Sequence, residues 1–225
     1  MKKLTPTKMI LPVMAMGLVS VSSLASAGKM EAPHHQNNLT SSSPLLHEVK
    51  ATATGQQAQK FIEELGDTAI SFLASGNLSD NQRISEFDKL LNKDFDMKTI
   101  ARFAMGRYWR SASEAQKSEY LKLFPEMVID VYASRFGEYN GETFEVVSHR
   151  VDGKSDFLVN SVVKGLSGGA PLKIDWRVRN KDGRMKVIDV IVEGVSMSLT
   201  QRSDFASVIQ RGGGDVEALL KHLRK

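Results

Sequence analysis

Asp189 is the residue whose position most clearly suggests a chemical role, because it is the one acid in the apolar run 187–192. A carboxyl group in an apolar pocket has a raised pKa and can serve as a general base. The same surroundings suit a structural carboxylate that accepts hydrogen bonds from nearby chain, such as the segment 193–196. We expect the structural role, because a buried carboxylate without partners is costly.

Further catalytic or metal-binding patterns do not emerge from the sequence. It contains no cysteine nucleophile, no His-Glu-x-x-His pair and no phosphate-cradling Walker loop. His34, His35 and His47 lack the neighbouring ligands of a metal site, and His149 is expected at an exposed strand end. The glycines at 212–214 lie between two predicted helices and form a linker. The prediction is therefore a protein without catalytic residues, metal or cofactor.

Apolar and aromatic side chains are more abundant than a simple two-layer core requires. Residues at helix or strand spacing are usually core, but they can also line a ligand cavity. The candidates for such a cavity are Phe103, Tyr108, Trp109, Val128, Tyr132, Phe144, Val146, Leu158, Val162, Ile174, Trp176 and Val190.

Two kinds of element must position these side chains, helices in the first half of the chain and strands in the second. Apolar residues at helical spacing predict helices over about 61–73, 80–91, 96–106 and 113–136, and two more over 202–210 and 215–223. Alternating residues predict strands over 143–150, 157–164, 172–179 and 185–192, joined by short turns. We therefore predict an α+β fold: a curved antiparallel sheet of about four strands with helices packed on one face. Such a fold is compatible with an NTF2-like shell around an apolar cavity.

The N-terminus predicts export. Lys2, Lys3 and Lys8 precede an apolar stretch too short to span a bilayer, and Ala25-Ser26-Ala27 is a small-residue cleavage site. We predict a signal peptide over 1–27, cleaved after Ala27, a disordered leader over 28–55 and one domain over 56–225. Without the signal peptide, 27 basic residues face 26 acidic ones, which argues against a nucleic-acid partner.

A resemblance adds to this interpretation. Asp189 is followed by Glu-Gly-Val-Ser-Met at 193–197 and Gln-Arg-Ser-Asp-Phe at 201–205, with Tyr108-Trp109 and Ile174-Asp175-Trp176 as supporting pieces. Over about 61–223 the chain resembles the MlaC family of periplasmic phospholipid-binding proteins, also called the toluene-tolerance auxiliary component family.

The resemblance implies a periplasmic carrier that shuttles phospholipid between two membranes and so maintains the lipid asymmetry of the outer membrane. Its partners would be an outer-membrane lipoprotein–porin complex and the MCE-domain ring of an inner-membrane ABC transporter. Phospholipid would be cargo in the apolar cavity. Its headgroup can stay in water beside one or two cations, and from their position beside Tyr108-Trp109 we take Arg107 and Arg110 as the candidates. Two alternatives remain open: an NTF2-like isomerase or hydratase with Asp189 as the base, and an interaction module without a ligand.

Overall fold

The computed structural model describes residues 44–166 and 168–224, with side chains from residue 54 onward. In these residues the chain forms seven α-helices: α1 (Pro44–Leu73), α2 (Asp80–Asp94), α3 (Met97–Met105), α4 (Tyr108–Ser111), α5 (Glu114–Ala133), α6 (Met197–Arg211) and α7 (Val216–Leu223). A short 3₁₀ turn, Phe136–Glu138, follows α5. None of the helices in this part of the chain is both long and apolar enough to cross a bilayer.

Five strands form one antiparallel sheet in the described residues: β1 (Thr143–Val151), β2 (Asp156–Lys164), β3 (Leu172–Lys181), β4 (Arg184–Val192) and β5 (Val195–Ser196). The strands lie in sequence order. The predicted α+β class, antiparallel sheet and packing of helices on one face are confirmed. The predicted number of about four strands is one too low, because β5 has only two residues and too little sequence pattern to reveal it.

Two-residue turns close the last two hairpins. Asp182 and Gly183 join β3 to β4 with φ of 53° and 78°, and Glu193 and Gly194 join β4 to β5 with φ of 48° and 81°. Positive φ at both positions matches the right-handed twist of the flanking strands. Bulges at Val147 and Ile188 add a residue to β1 and β4, which bends the strands locally.

Side chains that accept hydrogen bonds from free backbone N–H groups set where several helices begin. Ser79 with Gln82, and Ser113 with Gln116, form capping boxes at the starts of α2 and α5. The Asp96 carboxylate caps α3 by accepting from the Thr99 amide at 3.0 Å. The helices predicted to start at about residues 96 and 113 begin directly after these caps, whereas α5 ends at Ala133 rather than near residue 136.

The two faces of the sheet differ in character. We call the face that α1 covers the apolar face; its residues include Phe144, Val146, His149, Phe157, Val159, Ser161, Leu172, Ile174, Trp176, Val178, Val187 and Val190. We call the opposite one the charged face; its residues include Glu145, Arg150, Leu158, Val162, Lys173, Asp175, Arg177 and Asp189.

Glycines let α1 approach β1 closely. A Cβ atom on Gly66 would lie 2.2 Å from Cδ1 of Phe144, and one on Gly55 would lie 2.6 Å from Cδ2 of His149. His149 Nδ1 also lies 2.8 Å from Oε1 of Gln59 on α1, so the prediction that His149 is exposed is wrong. Helix α1 covers it.

The described chain begins its first helix earlier than the sequence pattern suggests. Helix α1 starts at Pro44, so the leader predicted as disordered over 28–55 is helical from Pro44 onward. The many polar residues of this segment and its Ala-Thr repeat hid the extension, because they leave few apolar residues at helical spacing before Gly55. The predicted signal peptide and the leader over 28–43 lie outside the described residues.

Two buried clusters stabilise this part of the chain. The helical core contains residues from each of the helices α3, α4, α5, α6 and α7. Its members include Met105, Tyr120, Phe205, Ile209 and Leu219. The sheet core joins α1 and α2 to the apolar face and includes Ile62, Leu65, Phe157, Val178 and Val187. Helix α5 packs on α2, α3 and α7, so it belongs chiefly to the helical core.

Candidate functional site

The apolar face is tightly filled at only one of its two ends. Near the β3–β4 turn, Phe157, Val178 and Val187 are buried, the latter two completely, beneath α1 and α2. Toward the other end of the strands, Leu172, Ile174 and Trp176 are only partly buried on the same face. This half of the face therefore keeps accessible apolar surface at Leu172, Ile174 and Trp176, although the partners of Ile174, Ser161 and Val192, are buried.

Four aromatic rings from α1, α2, α5 and the 3₁₀ turn pack together. Phe136 packs edge-on against Phe72 of α1 and Phe87 of α2, with ring centroids 6.1 and 5.2 Å apart, and Tyr132 of α5 lies 6.2 Å from Phe87. Phe72 is six residues beyond Gly66 along α1, a rise of about 9 Å from the point where Phe144 packs. We call Phe72, Phe87, Tyr132 and Phe136 the aromatic border.

Tyr132 is both deep in the protein and accessible. Burial raises the pKa of its hydroxyl, yet 41% of its surface remains accessible. We call the region between the aromatic border and the partly open end of the apolar face the recess.

Trp176 is held in one orientation on the apolar face. Its indole Nε1 donates a hydrogen bond to Oγ of Ser161 at 2.9 Å, and the Phe144 ring packs edge-on against it at 6.1 Å. The Ser161 hydroxyl donates in turn to the carbonyl of Ile174 at 2.8 Å. The polar end of the indole is thus satisfied within the sheet, which leaves the rest of the ring as apolar surface.

The structure brings five of the twelve candidate residues together on the apolar face: Phe144, Val146, Ile174, Trp176 and Val190. Tyr132 lies in the aromatic border. Tyr108, Trp109 and Val128 belong to the helical core instead. Phe103 is 41% exposed, with the Arg202 guanidinium 5.3 Å from its ring centroid.

Leu158 and Val162 require a correction, because they lie on the charged face. Leu158 pairs with Arg177 and Val162 pairs with Lys173, so neither shares a surface with Trp176. Strand β2 is apolar at both alternating phases, Phe157, Val159 and Val163 as well as Leu158 and Val162. A period-two pattern therefore could not decide which phase faces the helices.

The two candidate headgroup cations lie beside the helical core. Arg107 donates a hydrogen bond from Nη2 to the Tyr108 hydroxyl at 2.9 Å, and this bond lowers the pKa of Tyr108. Arg110 is exposed at the end of α4. Arg107 is therefore engaged with its neighbour, and its predicted contact with a headgroup stays a prediction.

Asp189 lies on the charged face, on the side of the sheet away from the recess. Its carboxylate accepts from Oγ of Ser196 at 2.6 Å and from the amide of Ser198 at 3.1 Å. Ser196 is the N-cap of α6, so Asp189 ties the start of that helix to β4. The predicted hydrogen bonds from the chain after β4 are confirmed, and both oxygens are engaged in them.

Four residues near the recess were not among the predicted candidates. Three of them, Phe72, Phe87 and Phe136, lie on three different elements, so no local pattern groups them. Ser161 is 2% exposed and lies among apolar residues on its face of β2, directly opposite Ile174. The sequence signal for the contact with Trp176 was a small hydroxyl residue in β2, the strand next to the one that carries the tryptophan.

A family model described as MlaC protein matches residues 63–225 of the chain. The chain belongs to the MlaC family. The match covers the C-terminal third of α1 and all the later elements, close to the extent that the resemblance over 61–223 predicted. The MlaC segment therefore includes both the apolar face and the aromatic border.

Relatives within the MlaC family are distant in sequence. The intermembrane phospholipid transport system binding protein MlaC of Haemophilus influenzae is 27% identical over 114 residues, 49% of this chain and 53% of that protein. The toluene tolerance protein ttg2D of Pseudomonas putida is 28% identical over 111 residues, 49% of this chain and 51% of that protein. The chain thus aligns with about half the length of these curated relatives.

A solved structure matches over a larger part. The phospholipid-binding protein from Ralstonia solanacearum, solved in complex with a phospholipid, superposes with a TM-score of 0.64 and 25% sequence identity. The match covers 74% of this chain and 94% of that one. The fold described above is therefore the fold of a protein that holds a phospholipid.

Proposed function

We propose that this protein binds phospholipid, with the acyl chains in the recess between the aromatic border and the open half of the apolar face. The observation that carries the proposal is the partly buried apolar surface of Leu172, Ile174 and Trp176 on the face that α1 covers. Membership of the MlaC family and the phospholipid bound to the Ralstonia protein support it.

The composition of the recess suits acyl chains for an energetic reason. Each CH₂ group moved out of water gains ~0.8 kcal/mol, so a sixteen-carbon chain represents ~12 kcal/mol. A bilayer offers the same gain, so a protein that extracts lipid needs an equally dry, apolar site. Trp176 meets this need, because its one polar atom already donates to Ser161 within the sheet.

We further propose that the protein is exported and carries phospholipid through the periplasm. Its partners would be an inner-membrane MCE-domain ring and an outer-membrane lipoprotein–porin complex, and its transport would maintain outer-membrane asymmetry. The support is the signal-like sequence at 1–27 and the transport system named for the Haemophilus relative. On this proposal the protein has no catalytic step.

Mass spectrometry of the exported protein tests the binding proposal. The full chain is expressed, recovered from the periplasmic fraction and measured under native and denaturing conditions. We expect a native mass that exceeds the denatured mass by one phospholipid, and organic extraction should release that lipid intact. A native mass equal to that of the polypeptide, with no uptake from vesicles, would leave the interaction module as the better interpretation.

A further inference from the structure

A second concave site lies at the end of the sheet near the β3–β4 turn. It is a cleft of about 380 Å³ between that hairpin and the junction of α2 and α3. Its charged lining residues are Lys98, Arg179, Lys181, Arg184, Lys186 and Asp96. The lining of the cleft therefore contains five cationic side chains and one acidic side chain.

Two of the five cations are already engaged. Arg179 donates two hydrogen bonds to the carboxylate of Asp156, both of 2.7 Å. The ammonium of Lys186 donates to the carbonyls of Asn92 and Lys93 at the end of α2. These contacts fix the back of the cleft, because each joins elements that are far apart in sequence.

The other three cations, Lys98, Lys181 and Arg184, have no ion pair anywhere in the described part of the chain. The one lining acid does not compensate for them. The Asp96 carboxylate accepts from the amide and the hydroxyl of Thr99, at 3.0 and 2.7 Å, as the cap of α3. The cleft thus carries unneutralised positive charge.

The hairpin holds two of the free cations in place. Lys181 and Arg184 pair with each other directly across the turn made by Asp182 and Gly183. A two-residue turn with positive φ at both positions has little conformational freedom, so the two side chains extend from a fixed backbone. Lys98 lies on the opposite wall, in the first turn of α3.

We propose that this cleft binds a phosphate group, as free phosphate or as the headgroup of an anionic lipid. A phosphate offers several acceptor oxygens and negative charge, which suits a guanidinium and two ammonium groups converging from two walls. Close like charges in a cleft concentrate the positive potential and attract such an anion.

The cleft is separate from the recess proposed above. Ile174 lies in the open half of the apolar face, and Arg179 is five residues further along β3, about 16 Å away. The two sites therefore occupy opposite ends of the sheet. Loss of phosphate binding in the cleft would leave acyl-chain binding intact, and the reverse also holds.

Thermal unfolding tests whether the cleft binds free phosphate. The full chain is melted with increasing sodium phosphate, and with sodium chloride at matched ionic strength as the reference. We expect phosphate at tenfold its dissociation constant to raise the melting temperature by about 3 °C above the chloride reference. Lys181→Gln/Arg184→Gln should abolish the rise, and Lys122→Gln/Lys221→Gln, with exposed lysines of α5 and α7, should retain it.

Vesicle flotation tests the headgroup source. Vesicles of phosphatidylcholine are compared with vesicles that also contain about 30% phosphatidylglycerol. The Lys181→Gln/Arg184→Gln variant removes two cations near the anionic surface, so its binding should be roughly 30-fold weaker. The Lys122→Gln/Lys221→Gln variant should bind like the unmodified protein. A response in either experiment that only the hairpin variant loses supports the site and identifies the source. The absence of both responses, or equal loss in both variants, overturns it.

Discussion

The hydroxyl of Ser161 and the indole of Trp176 form one hydrogen-bonded unit across β2 and β3, with Oγ and Nε1 2.9 Å apart. Because Ser161 also donates to the carbonyl of Ile174, its oxygen is oriented to accept from the indole. This orients the Trp176 ring toward Phe144 on the apolar face. The tryptophan therefore contributes apolar area to the recess without a polar atom that lacks a partner.

Trp176→Asp should lower the amount of phospholipid bound per folded protein. The substitution places a carboxylate on the apolar face, where an unpaired charge is costly. Lys173→Asp is the matched control, because Lys173 is exposed on the charged face of the same strand. Both variants are purified as folded monomers and their lipid is extracted and quantified. Equal lipid content in the two would place the acyl chains on a different surface.

Gly66→Ala should destabilise the protein although alanine favours helices. A methyl group at Gly66 would lie 2.2 Å from Cδ1 of Phe144, so that ring, which also packs edge-on against Trp176, must shift. Overpacking typically costs about 1–3 kcal/mol, whereas the helix propensity of alanine returns about 1 kcal/mol. We expect a lower free energy of unfolding, measured by urea denaturation.

A double-mutant cycle isolates the contact between Gly66 and Phe144. In a Phe144→Ala background the ring is gone, so Gly66→Ala should become neutral or stabilising. Gly76→Ala is the control for alanine substitution itself, since a Cβ atom there would have no neighbour within 4 Å. If Gly66→Ala destabilises both backgrounds equally, the ring contact is not the cause.

The sequence predicted the elements of the sheet better than their ends. Leu172, Ile174, Trp176 and Val178 alternate strictly with charged residues, so the two faces of β3 were assigned correctly. Strand β5 and helix α4 were missed because two and four residues are too short to show a period. The early start of α1 at Pro44 was missed because the few apolar residues of its first turns, such as Leu45 and Val49, lie in a segment rich in polar residues.

The site was harder to predict than the fold, for a reason that β2 and the aromatic border illustrate. Leu158 and Phe157 are equally apolar, so only the pairing of Phe157 with Val178 shows which one faces the helices. Phe87, Tyr132 and Phe136 come together from α2, α5 and a 3₁₀ turn. Such long-range convergence depends on the packing of whole elements, which local patterns do not encode.

Asp189→Ala should lower the free energy of unfolding by about 1–3 kcal/mol or more, the cost of removing a charged partner from buried hydrogen bonds. The change leaves the Ser196 hydroxyl and the Ser198 amide without their acceptor at the start of α6. Asp204→Ala, an exposed acid on α6, is the control. Bound phospholipid should remain chemically unchanged. Native stability combined with loss of a measurable turnover would favour the isomerase or hydratase interpretation.

Asp94→Asn should stabilise the protein at neutral pH. Asp94 is buried at the C-terminal end of α2, where a negative charge opposes the helix dipole, and burial raises the pKa of its carboxyl above the ordinary value of 3.8. A raised pKa means that the folded state binds the proton more tightly than the unfolded state. Stability is therefore lost as the pH rises from 3.8 through the folded pKa.

The asparagine variant lacks that ionisation, so its advantage over the unmodified protein should depend on pH. We expect Asp94→Asn to raise the free energy of unfolding by about 0.3–1 kcal/mol at pH 7, the usual size of a charge–dipole effect. The difference should shrink toward zero as the pH falls below 3.8, where the carboxyl is protonated in both states. Urea denaturation across this range measures it, with Asp67→Asn on the exposed side of α1 as the control. A variant less stable than the unmodified protein at pH 7 would mean that the nearby Lys93 and Lys186 stabilise the carboxylate more than burial disfavours it.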